Sequence, residues 1–185
     1  QRDAVGLSIY AKNYDFYVSE KSSERHFQML LGKLNSVANV SAGANETRTY
    51  HYLHQIAEKL HRRSLIFLFS DMFQTEVEEA QLFEALRHLK YNKHEVVLFH
   101  LVDKTHELEF DFDNAPKRFL DVETGKHIDL YAENIKEAYH QKVQAYIDAL
   151  KLKCSQYRIK YVQADVGADF STVLNTFMVE RQKFV

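Results

Sequence analysis

Ser70-Asp71 follows without a break on the apolar run Leu65-Ile-Phe-Leu-Phe69. A carboxylate delivered at the end of a buried strand can present oxygen to a cation or a polar ligand. Magnesium takes oxygen ligands and keeps several waters, so one Asp supported by hydroxyls such as Ser70 and Thr47 is a chemically sensible set. Each residue also has an ordinary use: an Asp after a strand orders a turn or caps the next helix, and a Thr opening a helix is a common cap. The order and spacing of these residues therefore matter more than any one of them.

The other reactive side chains offer less. There are ten histidines, but His94 and His100 lie on one strand roughly 20 Å apart and cannot share a metal. His51 and His54, three apart on a helix, could supply two zinc ligands, with no Cys or third His nearby to complete a set. Either could also serve as the base of a hydrolase built on Asp71, although nothing in the sequence orients such a pair. The single Cys154 lies on a helix, and only its neighbours Lys151 and Lys153 favour a reactive thiolate. Gly6, Gly32, Gly43, Gly125 and Gly167 are scattered and form no phosphate-binding loop. No Gly-x-Ser-x-Gly nucleophile elbow occurs. Arg62-Arg63 with His61 closes a helix, where cations favour the helix dipole.

The elements that must position these residues read as strands alternating with helices. Ala4–Tyr10 is expected to be a buried strand, apolar on both faces, and Tyr14–Val18 a short edge strand paired back on it. Ser22 or Ser23 can cap a helix over Glu24–Val37, with Phe27, Leu30, Leu31 and Leu34 inward. After a polar loop, a second helix runs from about Thr47 to Arg63, with Tyr50, Leu53, Ile56, Ala57 and Leu60 on one face. The continuous apolar run Leu65–Phe69 predicts a central strand of a parallel sheet. A third helix over Val77–Lys90 turns Leu82, Phe83, Leu86 and Leu89 inward, and Glu95–Leu101 is another buried strand. The stretch 105–131 reads as a β insertion: strand-like Glu107–Phe112, then two short strands about the turn Glu123-Thr-Gly125. A long helix (Ala132–Tyr157), a strand (Ile159–Gln163) and a last helix (Phe170–Lys183) complete the chain. The pattern predicts one Rossmann-like α/β domain over residues 1–185, a mostly parallel sheet flanked by helices.

A chain of 185 residues with 45% hydrophobic and 27% charged residues suits one globular domain. The net charge of -2 gives no reason to expect nucleic acid or an anionic membrane as partner. One cysteine excludes an internal disulfide and fits a reducing, cytoplasmic compartment. The sequons Asn39-Val-Ser41 and Asn45-Glu-Thr47 carry no meaning there. No apolar run approaches the roughly 20 residues that span a bilayer. The first residue is Gln, followed at once by strand-like sequence, which reads as an N-terminally truncated fragment.

Several segments share one pattern in order. They are Gln1-Arg-Asp-Ala-Val-Gly-Leu7, Glu46-Thr47, Leu53-His-Gln-Ile-Ala-Glu-Lys-Leu60, and Arg62-Arg-Ser-Leu-Ile-Phe-Leu-Phe-Ser-Asp71. Leu86-Arg-His-Leu89, His94-Glu-Val-Val-Leu-Phe-His-Leu-Val-Asp103 and Phe119-Leu-Asp-Val-Glu-Thr-Gly125 continue it. Together they resemble the domain of unknown function 58 family over essentially the whole chain. The resemblance implies a von Willebrand factor A-like domain with a metal-ion-dependent adhesion site for a divalent cation, typically Mg²⁺. Such a site has an Asp-x-Ser-x-Ser loop, a later Thr and a later Asp. Thr47 resembles the second part and Asp71 the third, with Ser70 in support.

The Asp-x-Ser-x-Ser loop is expected upstream of Gln1. Asp169-Phe-Ser171 begins like it but continues Thr172-Val173 and does not count. A first strand expected upstream would lie between Ala4–Tyr10 and Leu65–Phe69. Without it, those two strands are expected to pair directly or to recruit another molecule, self-association through an exposed strand edge. The resemblance further implies a non-catalytic binding module partnering a MoxR-type AAA+ ATPase in chaperone-like assembly or metal-cofactor maturation. Mg²⁺ would belong to the parent protein and bind these residues alone poorly. A hydrolase, or a structural domain with no working metal site, are the alternatives.

Overall fold

A computed structural model describes residues 3–11, 14–38, 49–61, 63–72, 78–91, 93–112, 116–120 and 127–182. Three parallel strands form the main sheet in the order β3 (Leu65–Ser70), β4 (Glu95–Val102), β7 (Lys160–Asp165). Pairing is in register from Leu65 opposite Glu95 to Ser70 opposite His100, and from Val97 opposite Lys160 to Val102 opposite Asp165. Two antiparallel hairpins stand apart from it. One joins β1 (Val5–Ala11) to β2 (Tyr14–Lys21), the other β5 (Pro116–Leu120) to β6 (His127–Tyr131).

Helices cover both faces of the main sheet. On one face, α2 (Thr49–Lys59), α3 (Glu79–Tyr91) and α4 (Ala132–Gln156) enclose the principal core. Leu53 and Ala57 of α2, Leu82, Phe83, Leu86 and Leu89 of α3, and Leu150 and Cys154 of α4 meet Leu68, Val96 and Leu98 of the strands there. The heptad-like spacing in α3 buries all four residues expected inward, as a period of 3.6 requires. On the other face, Phe177 of α5 (Phe170–Gln182) packs on Val97 and Phe99. Phe69 stacks on Phe99 at 4.8 Å between ring centroids.

Caps follow the sequence logic closely. Ser23 opens α1 (Glu24–Ala38), accepting from the His26 amide at 3.3 Å. Asp169 opens α5, accepting from the Ser171 amide at 2.9 Å and its hydroxyl at 2.7 Å. That capping role explains why an Asp-x-Ser pair stands there. Gly6 sits at a bulge in the first hairpin, where an added Cβ would meet the Val18 carbonyl at 2.9 Å.

Five expectations need correction. Leu65–Phe69 is an edge strand of the main sheet among the described residues, and Leu65, Phe67 and Phe69 are exposed. The strand expected at Ala4–Tyr10 is not buried: Val5 is exposed and the residues after Gly6 are half-buried. It pairs with β2 and not with β3, so the direct pairing of those two strands does not occur. On α1 only Leu30 of the expected inward set is buried, while Phe27, Leu31 and Leu34 are exposed. Finally, Glu107–Phe112 is no strand. Lys104–Leu108 forms a single π-helical turn, because Asp103 accepts from the His106 amide at 3.0 Å and Glu107 accepts from the Asp103 amide at 2.9 Å. These reciprocal bonds close the turn before a strand can extend. The two strands expected about Glu123-Thr-Gly125 do form as β5 and β6, and the turn itself lies outside the described residues.

Candidate functional site at the carboxyl end of the sheet

The chain leaves β3 through Ser70-Asp71-Met72, a turn held at three points. The Met72 amide donates to Ser70 Oγ at 3.1 Å. His100 Nε2 lies 2.9 Å from the Asp71 carbonyl, and its Nδ1 lies 2.7 Å from the Tyr161 hydroxyl. A carbonyl can only accept, so Nε2 carries the hydrogen and Nδ1 accepts from Tyr161. The Tyr146 hydroxyl donates to the Met72 carbonyl. Met72 is fully buried with φ at 55°, a left-handed conformation that costs a non-glycine residue on the order of 1 kcal/mol. Those bonds, with the buried Met72 side chain, hold it there. The result is a fixed backbone that leaves the Asp71 side chain exposed at the sheet's end.

Burial dominates the electrostatics behind this turn. It holds the His100 imidazolium form in disfavour, against the opposing pull of the Asp71 carbonyl and carboxylate. It also raises Tyr146 and Tyr161, and pushes the Tyr10 phenol up to about 12. The Tyr10 hydroxyl is buried beside Ser70 without reaching good hydrogen-bond geometry.

Each strand of the sheet ends in an aspartate: Asp71 after β3, Asp103 after β4, Asp165 closing β7. Two of them serve the backbone. Asp103 caps the π-helical turn and contacts His106 Nδ1 at 2.8 Å, bonds that hold its carboxyl below the usual range. Asp165 accepts from the Gly167 amide at 2.9 Å and from the Lys104 amide at 3.4 Å. Half-buried Glu107 is shifted upward, first by burial and then by the charges of Asp103 and Asp71. The end of the sheet is thus an acidic rim from which Asp71 projects.

Of the residues expected at a metal site, Ser70 and Asp71 stand together on this turn, and Thr47 lies outside the described residues. The Ser70 oxygen is buried and accepts from Met72, so its role here is to shape the turn. Among the described residues no three His, Cys, Asp or Glu side chains converge to hold a metal ion. The oxygen chemistry of Asp71 and its rim fits Mg²⁺ in kind, since that ion is commonly held by one or two carboxylates and several waters.

His51 and His54 do not form a pair with each other: His51 bonds Gln55 at 2.9 Å and His54 bonds His88 at 2.9 Å. His94 is buried, accepting from the Ser64 amide at 3.1 Å, with its imidazolium form disfavoured by burial and then by Lys90. Cys154 is fully buried and burial pushes its thiol up to about 12, so Lys151 and Lys153 do not activate it. The sequence reading overlooked Asp103, Glu107 and Asp165, and weighed His100 only as a metal ligand. A usable signal existed, because each of the three strands is followed at once by, or closes on, an Asp.

The architecture is that of an α/β protein with a parallel sheet and an acidic carboxyl end. The family model described as protein of unknown function DUF58 matches residues 1–147 of the chain. The chain belongs to that family. No curated protein and no solved structure matches it. No helix among the described residues is long and apolar enough to cross a membrane.

Proposed function

We propose that the chain is a non-catalytic protein-binding module of von Willebrand factor A-like type. Its working surface is the carboxyl end of the sheet, and its partner is a MoxR-type AAA+ ATPase in chaperone-like assembly or maturation. The observation that supports this reading is the exposed Asp71 side chain on a turn whose backbone is fixed by Ser70, His100 and Tyr146. A fixed backbone limits the freedom the turn loses when its carboxylate engages a cation, one condition for a preorganised site. In such a site Asp71 and Thr47 would hold or orient Mg²⁺, with Ser70 shaping the turn. An acidic residue of the partner would complete the shell, because Mg²⁺ retains exchangeable positions.

Calorimetric Mg²⁺ titration tests the metal part. These 185 residues are expected to bind Mg²⁺ more weakly than micromolar, and the Asp71→Ala variant at least about tenfold more weakly still. Micromolar affinity of these residues, or equal affinity in Asp71→Ala, would contradict the reading.

A further inference from the structure

The side chains of His54 and His88 meet where α2 crosses α3, at the border of the principal core. Their Nδ1 atoms are 2.9 Å apart and their ring centroids 5.1 Å apart, tilted by 44°. The facing nitrogens therefore lie near the line joining the rings, and their lone pairs point at one another. One proton fits that gap and a metal does not. Zinc holds each imidazole nitrogen at about 2.0–2.1 Å along its lone pair, so head-on nitrogens at this separation leave it no place.

We infer that His54 and His88 form a proton-counting latch that fastens α2 to α3 while at most one of the two imidazoles is charged and releases it when both are. With both rings neutral, one is the Nδ1–H tautomer and donates to the other. A first proton on the donor ring leaves the bond in place and makes its donor cationic, which strengthens it. A second proton puts hydrogens on both facing nitrogens. The bond is then replaced by repulsion between two cations across the helix contact.

The surroundings do not cancel that repulsion. From α3, Glu84, Arg87, Lys90 and Tyr91 line the open pocket of about 780 Å³ beside the pair, and Tyr157 reaches it from the end of α4. Lys153 of α4 lies with Glu84 and Arg87 in the adjoining pocket. On α2, His51 and Glu58 stand about one turn to either side of His54. Glu84 is 3.7 Å from Arg87, and the Lys90 ammonium donates to the His94 carbonyl at 2.8 Å. Among the described residues the carboxylates of Glu58 and Glu84 are outnumbered by Arg87, Lys90 and Lys153, so no surplus of negative charge stands by to compensate a doubly charged pair. The same pocket admits water to the rings. The latch is independent of the function proposed for Asp71.

Native-state amide hydrogen exchange on the whole chain, corrected for intrinsic pH dependence, reads the latch directly. Between pH 7.5 and 5.0 the amides of α2 are expected to lose about tenfold more protection than those of β4, because opening is local. His88→Asn places a neutral amide near the position of Nδ1 and is expected to keep the α2-to-β4 ratio within about twofold. His54→Asn tests the same bond from the other helix if the first variant does not fold. Ring ¹⁵N shifts at pH 7.5 are expected to show one Nδ1–H and one Nε2–H tautomer. Equal pH dependence of α2 in wild type and variant, or two Nε2–H rings, would overturn the inference.

Discussion

His100 joins β4 to the turn that presents Asp71, and it does so from a buried position with both ring nitrogens bonded. Replacing it by Ala removes two hydrogen bonds and opens a cavity, and leaves the Asp71 carbonyl and Tyr161 hydroxyl without their partner. We expect His100→Ala to lose about 2–4 kcal/mol in urea unfolding. A loss under about 1 kcal/mol would show that the turn does not need the imidazole. The same burial sets a pH dependence. His94 and His100 bind protons less readily in the folded chain than an exposed imidazole does. The unfolded chain therefore takes up those protons first, at about pH 6.5. Their stabilisation is fully present above that pH and is lost as pH falls below it, toward their lowered folded-state values. Thermal unfolding from pH 8 to 5 should show the midpoint falling below pH 6.5, with a smaller slope in His94→Gln. A flat profile would contradict the assignment.

At the scale of elements, three helix-to-strand connections end on cations in the left-handed region: Arg63 at φ 65°, Lys93 at 61° and Arg158 at 56°. Glycine is the usual residue at such a position, and a Cβ there is disfavoured. The cation offsets part of that cost by its attraction to the helix's carbonyl end. Lys93→Gly should raise stability by about 0.5–1 kcal/mol, visible as a higher urea midpoint at unchanged slope. A lower midpoint would mean that the Lys93 side chain contributes more than its backbone strain costs.

These ends also show why parts of the fold were legible and others not. Helix periodicity placed α3 and its four inward residues correctly because one face is apolar and the other is not. Leu65–Phe69 is apolar on both faces, so its pattern predicts a central strand. The structure buries Leu68, half-buries Ile66 and exposes Leu65, Phe67 and Phe69, an alternation that a uniformly apolar run cannot reveal. Likewise α1 announces an apolar stripe, yet the stripe does not say whether a neighbour exists to cover Phe27, Leu31 and Leu34. Asp71 was visible as a strand-end carboxylate. Its support by His100 was not, because that contact joins residues 29 apart in sequence across two strands.

For the whole molecule, one sheet face is only partly covered. Phe67 and Phe69 are 46% and 48% exposed, beside Phe170 and Leu174 of α5 at 44% and 41%. Apolar edges of this kind invite strand-to-strand association. Light scattering of these 185 residues should show concentration-dependent self-association, weakened by Phe67→Lys, whose charge at an edge opposes pairing. A clean monomer at all concentrations would remove self-association from the account. The central claim concerns the carboxyl end of this same sheet, where Asp71 is proposed to share a cation with a partner. Affinity of the protein for the proposed MoxR-type ATPase, measured with Mg²⁺ and with EDTA for wild type and Asp71→Asn, tests it most directly. The account predicts binding that falls at least about tenfold on chelation, and equally in Asp71→Asn with or without Mg²⁺. Binding unchanged by both chelation and Asp71→Asn would contradict it.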